Sequence, residues 1–228
     1  MTKKYIIYGA SSFVANELIK QLSKNNKVIA FSRKKLNLTN SNLKFFKTNY
    51  DENHILKILK KNIKEKDILI FIFFNAISDN SALIKMKRNE ILDIFRINLI
   101  TPILITNIII KNFLNVKPHF IYMSSTRGHM GDKGISIYST TKNGLAAFTK
   151  NMSIEYGSFG LNFRVILLGL VNGGLKNKIN KDKIIKKIIS RTSNEKYIKI
   201  KEILKTIKYI ENDKTGNGSI INCDNGYY

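Results

Sequence analysis

The chain has 228 residues, 43% of them hydrophobic, 10% aromatic and 24% charged, with 13 glycines, 2 prolines and 1 cysteine. That composition belongs to a folded globular protein and excludes a disordered chain, a collagen-like repeat and a small disulfide-stapled scaffold. The net charge of +23 raises nucleic acid as a partner, but only six of the 39 basic residues are arginines and the lysines are spread along the chain; without a patch of arginine and aromatic residues, no dedicated nucleic-acid role is expected.

In chain order, short β-branched or aromatic runs alternate with amphipathic segments. YIIYG, KVIAFS, LKFFKT, DILIFIFF, HFIYMSS, FRVILLG and SIINCD read as seven strands. Helical patterns occupy residues 16–24, 53–63, 91–114 and 140–157, where apolar positions recur three and four apart. This alternation predicts an α/β fold: one Rossmann-type doubly wound parallel sheet of about seven strands with helices on both faces, spanning residues 1–228 as a single domain. The most apolar stretch, residues 99–110, is broken by Thr101, Thr106 and Asn107 and falls short of the ~20 residues a bilayer crossing needs, so no membrane partner is expected. Lys3 and Lys4 run straight into the first strand rather than into the apolar region of a secretory leader, and Cys223 has no partner for a disulfide. A reducing cytoplasm is the expected location.

The first strand ends at Tyr8 and Gly9, and Ala10, Ser11, Ser12, Phe13, Val14 and Ala15 lead into a helix. Small residues at such a turn let backbone N–H groups and the helix N-terminus reach a pyrophosphate. A plain strand-to-helix turn capped by Ser11 or Ser12 is the alternative. The second strand ends in Ser32, Arg33 and Lys34 with no acid in reach. An acid there grips the adenine ribose hydroxyls, whereas basic residues accommodate a 2′-phosphate, so this tip favours NADP(H), with NAD(H) the alternative.

The densest chemistry lies between Ser124 and Lys142. Tyr138 and Lys142 are four residues apart at the start of a helical segment, which puts both side chains on one face. A phenol titrates near ~10 and becomes useful in acid-base work at neutral pH when a nearby ammonium favours its anion. Ser125 ends a strand, and the C-terminal edge of a parallel sheet is where ligands sit in open α/β folds. In the preceding helix, Pro102 cannot donate to the carbonyl four residues back, that of Asn98. The helix is expected to kink there, leaving a free carbonyl suited to holding a water.

Together these residues resemble the short-chain dehydrogenase/reductase family over nearly the whole chain. The resemblance aligns Tyr138 and Lys142 with the family's Tyr-x-x-x-Lys motif, Ser125 with its catalytic serine and Asn98 with the asparagine of the tetrad. Residues 9–15 match the cofactor turn, Asn75 and Ala76 the Asn-Ala pair after the fourth strand, and Gly169, with Val171 beyond it, the cofactor-lining segment after the sixth strand. TGNGSIINCDNG resembles the family's closing strand and turn. The sequence departs from the pattern at Phe13 and Ala15, where two further glycines are usual, at Ile77 in place of a glycine and at Leu168 in place of a proline. A side chain at position 13 or 15 would crowd the pyrophosphate.

The resemblance implies an NAD(P)-dependent oxidoreductase that transfers a hydride between nicotinamide and the carbonyl or alcohol carbon of a small molecule. A sugar or nucleotide sugar of bacterial surface-polysaccharide synthesis is the first candidate substrate, and a 3-oxoacyl group on acyl carrier protein the second. A non-catalytic dinucleotide sensor or nucleic-acid-associated protein is the third reading, which loss of a tetrad residue would have favoured. It also implies a homodimer or homotetramer. Residues 170–191 correspond to the substrate lid, and their lysines, Lys176, Lys178, Lys181, Lys183, Lys186 and Lys187, suit either an anionic substrate or a solvated helix face. His54, His119 and His129 stand apart from one another and from acids or Cys223, so no metal site is expected. His129, between Ser125 and Tyr138, is a candidate pocket residue.

Overall fold

The computed structural model of the protein describes residues 2–78, 81–171 and 181–228, with side chains from residue 185 onward in the last segment. In chain order the elements are β1 (Lys3–Tyr8), α1 (Phe13–Leu22), β2 (Lys27–Ser32), β3 (Leu43–Lys47), α2 (Glu52–Asn62) and β4 (Ile68–Phe73). There follow α3 (Arg88–Phe95), a π turn (Arg96–Ile100), α4 (Thr101–Phe113), β5 (His119–Ser125), α5 (Thr126–Met130) and α6 (Ser136–Tyr156). The chain closes with β6 (Asn162–Leu168), α7 (Lys181–Ile189), α8 (Ile200–Asn212) and β7 (Ile220–Cys223).

The seven strands form one parallel sheet in the order β3-β2-β1-β4-β5-β6-β7. Strands buried on both faces must be apolar throughout, and Ile6, Ile7 and Tyr8 of β1 and Phe71 and Ile72 of β4 have no exposed surface. One face packs against α1 and α8 through Leu18, Ile19, Ile203 and Ile207. The other packs against α2, α4 and α6 through Ile55, Leu59, Ile105, Ile109 and Leu145.

On this second face the in-register pairing sets aromatic rings directly opposite one another on neighbouring strands. Phe46, Phe31, Tyr8, Phe73 and Tyr122 stack in a row with centroid separations of 5.8, 5.0, 4.9 and 5.0 Å. A shorter row, Phe71, Phe120 and Phe163, lies beside it at 5.4 and 4.9 Å. Each such pair contributes roughly 0.5–1.5 kcal/mol beyond the area it buries, so the rows also hold the strand register that aligns the functional edge.

The structure extends the expected helices. α6 begins at Ser136, so Tyr138 and Lys142 both lie within it. α8 is not among the helices expected from sequence; Ile203, Ile207 and Ile210 recur four and three apart and are buried, and lysines at 201, 205 and 208 alternate with them.

Between Arg88 and Val116 the chain is one helical run of 29 residues, long and apolar enough by length and composition to cross a bilayer. That exceeds the apolar stretch at residues 99–110 read from sequence. Here its apolar face, with Ile105, Ile109 and Phe113, is packed into the second core layer beneath the sheet.

Because β1 lies between β2 and β4, successive connections leave its neighbourhood in opposite directions. The crevice that opens at such a switch point, at the C-terminal ends of the strands, is where open α/β sheets bind ligands.

Candidate active site

The turn after β1 depends on Gly9. Its φ is +73°, and a Cβ there would lie 2.6 Å from the carbonyl carbon of Phe74 and 2.7 Å from the nitrogen of Asn75. The turn therefore sits hard against the end of β4. Its N–H donates to the Tyr50 hydroxyl at 3.1 Å, and Ser12 caps α1, its Oγ accepting from the Ala15 N–H at 3.3 Å.

Ser11 is exposed at the turn. Phe13 packs part of its ring against the first core layer, and the Ala15 methyl is fully buried in it, so both departures from a glycine-rich turn are absorbed by packing. At the end of β2, Ser32 is buried with its hydroxyl donating to the Lys34 carbonyl, while Arg33 and Lys34 are exposed.

After β4, Asn75 is buried and Ala76 reaches the cavity. The next residue, Ile77, is clasped by Asn98, whose Oδ1 accepts the Ile77 N–H and whose Nδ2 donates to the Ile77 carbonyl, each at 2.8 Å. Asn98 has no exposed surface and also donates to Thr141 Oγ1 at 3.2 Å. It stands in the π turn, where the Thr101 N–H reaches back to the Arg96 carbonyl. This wide turn lies immediately upstream of Pro102, where sequence predicted a kink, and such turns recur in helices at functional positions.

Ser125 ends β5 and accepts from the Gly128 N–H at 3.5 Å, capping α5. Facing it, α6 carries Tyr138 and Lys142. The Lys142 ammonium is buried, donates to the Met123 carbonyl at 2.7 Å and lies 5.8 Å from the centre of the Tyr138 ring. Burial lowers its pKa to about 7. Ser124 Oγ donates to the Lys142 carbonyl at 3.0 Å, tying β5 to α6. At Gly128 a Cβ would meet the Lys142 Cβ at 3.3 Å, so α5 lies tightly against α6 here.

Gly169, after β6, comes so near β7 that a Cβ would lie 2.7 Å from the Asp224 Cα. Asp224 in turn accepts from Thr126 Oγ1 at 3.0 Å, linking the chain's last turn to the residue after Ser125.

These elements enclose a cavity of about 300 Å³. Ser125, Tyr138 and Lys142 line it at one end; Ser12, Val14 and Ala76 line it towards the turn, and Gly169 and Val171 close a side. Gly9, Ser11, Phe13, Ser32, Arg33, Lys34, Asn75 and Asn98 are not in its wall; they lie behind it or further along the strand ends.

His129, a candidate pocket residue, is exposed and hydrogen-bonded to Asn143 at 2.8 Å instead. Wall residues that no motif in the sequence marked include Phe74, Ser78, Met123 and Tyr227. Tyr227 arrives from the C-terminus through a bridge to Thr192, a contact between segments no motif relates. Residues 172–180 of the expected lid, with Lys176 and Lys178, lie outside the described residues, as do the side chains of Lys181 and Lys183.

A positive-φ glycine turn, a capped helix N-terminus, a tyrosine and a buried lysine thus meet around one cavity, an arrangement that suits a nicotinamide dinucleotide. The residues present fit that cofactor, because the N-terminus of α1 and the small side chains of Ser12, Val14 and Ala76 border a cavity leading to Tyr138.

Residues 3–184 match the model of the short chain dehydrogenase family. The chain is 29% identical to the 3-oxoacyl-[acyl-carrier-protein] reductase FabG of Buchnera aphidicola subsp. Baizongia pistaciae, over 100% of this chain and 98% of that protein. It is 22% identical to carbonyl reductase family member 4 of Xenopus laevis, over 82% and 84% of the two chains. Among solved structures, 4-hydroxyisoleucine dehydrogenase complexed with NADH superposes with a TM-score of 0.87 at 21% identity, covering 99% of this chain and 98% of that one. ElxO with NADP bound superposes at 0.84 with 18% identity, covering 100% and 99%. The chain belongs to the short-chain dehydrogenase family. It is an NAD(P)-dependent oxidoreductase acting on a CH–OH or C=O group.

Proposed function

We propose that the protein reduces the carbonyl of a small polar substrate, with NADPH preferred over NADH, and that Tyr138 is the proton donor. One observation carries this reading: Ser125, Tyr138 and Lys142 line the same cavity, with the Lys142 ammonium 5.8 Å from the Tyr138 ring centre. The cofactor supplies the hydride from its nicotinamide C4. Tyr138 gives its proton to the substrate oxygen, Ser125 holds that oxygen by a hydrogen bond, and Lys142 favours the phenolate left behind. The Asn98 carbonyl, which Pro102 cannot satisfy, holds a water through which the proton is replaced by way of Lys142. General acid catalysis of this kind contributes typically ~10²–10⁴-fold in addition to positioning.

The remaining roles are those the family resemblance implies. Gly9, Ser11, Ser12, Phe13 and Val14 hold the pyrophosphate side of the cofactor, and Asn75, Ala76, Gly169 and Val171 its nicotinamide side. Arg33 and Lys34, both exposed beside the buried Ser32, meet the 2′-phosphate of NADPH, which supports the preference for that cofactor.

A sugar or nucleotide sugar is the first substrate reading, supported by hydroxyl-bearing Ser78 and Tyr227 in the cavity wall. A 3-oxoacyl group on acyl carrier protein is the second, favoured by full-length similarity to a 3-oxoacyl-[acyl-carrier-protein] reductase and by a charge of +23 that suits an acidic carrier. The chain works in the cytoplasm as one domain, residues 1–228, with residues 170–191 as its substrate lid. It assembles as a homodimer or homotetramer, for which exposed Leu92, Ile100, Leu104 and Ile154 on the long helices offer apolar contact.

The test is Tyr138→Phe with NADPH and a panel of nucleotide sugars and 3-oxoacyl thioesters. Turnover is expected to fall by at least ~10²-fold while NADPH binding, read by fluorescence, persists. Undiminished turnover would remove Tyr138 from the chemistry.

A further inference from the structure

Beside the cavity two cations meet one carboxylate. Arg127, two residues beyond Ser125, lines the cavity and donates to Asp132 Oδ2 through Nε at 3.0 Å and Nη2 at 2.6 Å. Lys187 of α7 lies 3.9 Å from Asp132 Oδ1.

Arg127 and Asp132 are mostly covered, with side-chain exposures of 24% and 13%. This pair is therefore partly desolvated, and water screens it only in part. Asp132 is saturated: it also accepts the Lys133 N–H at 2.8 Å, and its cationic surroundings hold its carboxyl below the usual range despite partial burial. Among the described residues of the cavity wall, Arg127 and Lys142 carry the positive charge and no acid opposes them.

A guanidinium fixed by its own carboxylate is preorganised, because its orientation is already set before a ligand arrives. Tyr227, from the C-terminal tail, stands in the same wall. Its segment is pinned by the Tyr228 N–H to the Arg191 carbonyl at 2.9 Å and by the Ser193 N–H to the Gly226 carbonyl at 3.1 Å.

We propose that this part of the cavity wall is an anion subsite, in which Arg127, with Tyr227, binds a carboxylate or phosphate carried by the carbonyl substrate itself. The inference rests on the proposed carbonyl reduction and narrows it to anionic oxo compounds, such as a sugar acid or a sugar phosphate. The neighbouring Asp132–Lys187 contact joins the loop after α5 to α7, so the substrate's charge is read where these two elements meet.

Acetoacetate and its neutral methyl ester are suitable probes, with acetyl phosphate as a phosphate-bearing third. Their binding to the NADPH complex is measured by calorimetry, which needs no turnover; oxidation of NADPH is followed separately. The acid is expected to bind roughly tenfold or more tightly than its ester, the scale of a charge-assisted hydrogen bond. Arg127→Met should abolish that preference, whereas Asp132→Asn, which releases the guanidinium from its counter-charge, should keep or enlarge it.

Damage to the loop would move both variants in the same direction, so opposite responses identify the charge. Equal binding of acid and ester, no binding of any anionic probe, or a parallel loss in both variants would overturn the subsite. Acetoacetate binding more tightly than acetyl phosphate would point to a carboxylate, and the reverse to a phosphate. Anion-selective binding without NADPH oxidation by any carbonyl compound would leave the subsite standing and count against the proposed reduction instead.

Discussion

Asn98 and Ile77 are joined by two reciprocal hydrogen bonds of 2.8 Å, side-chain amide to backbone N–H and carbonyl. The bonds fasten the segment after β4 to the π turn that precedes α4. A residue whose family counterpart belongs to a catalytic tetrad thus spends its side chain on architecture. Asn98→Ala should leave two backbone groups of Ile77 unpaired. Each costs roughly 1–3 kcal/mol when buried, so urea unfolding should report a loss of about 2–4 kcal/mol. An unchanged midpoint would mean that water replaces both bonds.

Gly9→Ala tests the first turn. An L-residue in the left-handed region costs roughly 1–2 kcal/mol, and the added methyl would have to push Phe74 and Asn75 away from contacts of 2.6 and 2.7 Å. Stability should fall by more than the backbone cost alone, and NADPH affinity should fall with it. A variant of full stability that still binds NADPH would show that the turn can open without loss.

Lys142 predicts a pH dependence of stability. Burial lowers its pKa to about 7 in the folded protein, whereas an unfolded lysine titrates near ~10.4. Between these values the unfolded chain holds more protons, so this group's contribution to stability rises with pH; the penalty is complete below about pH 7 and gone above about pH 10. The melting temperature of wild type should therefore gain on that of Lys142→Met across that interval. Parallel curves for the two proteins would show that Lys142 is not buried as a neutral amine.

Arg33→Ala tests cofactor choice. An exposed guanidinium at the end of β2 that pairs with a 2′-phosphate forms charge-assisted bonds, so its removal should weaken NADPH binding roughly tenfold and leave NADH nearly unaffected. Equal weakening of both dinucleotides would place Arg33 elsewhere in the site.

Several parts of this protein were legible before folding. The seven apolar runs became the seven strands because parallel strands buried on both faces admit little else. Tyr138 and Lys142 share a helix face because four residues are about one turn, and Gly9 marked the turn between the first strand and the first helix. Each of these signals is local, written in spacing or in one residue's conformational range.

Tertiary structure decided what no spacing encodes. Ser125 faces Tyr138 because β5 packs against α6, and Lys142 reaches the Met123 carbonyl through the same contact. The carboxylate of Asp132 unites Arg127 with Lys187, 60 positions later, and Tyr227 enters the cavity wall from the C-terminus. The helix at Ile200–Asn212, not expected from sequence, is held against the sheet through Ile203 and Ile207. Such contacts follow from the parallel sheet's crossovers, which gather distant segments at one edge, and a linear pattern carries no record of which segments will meet there.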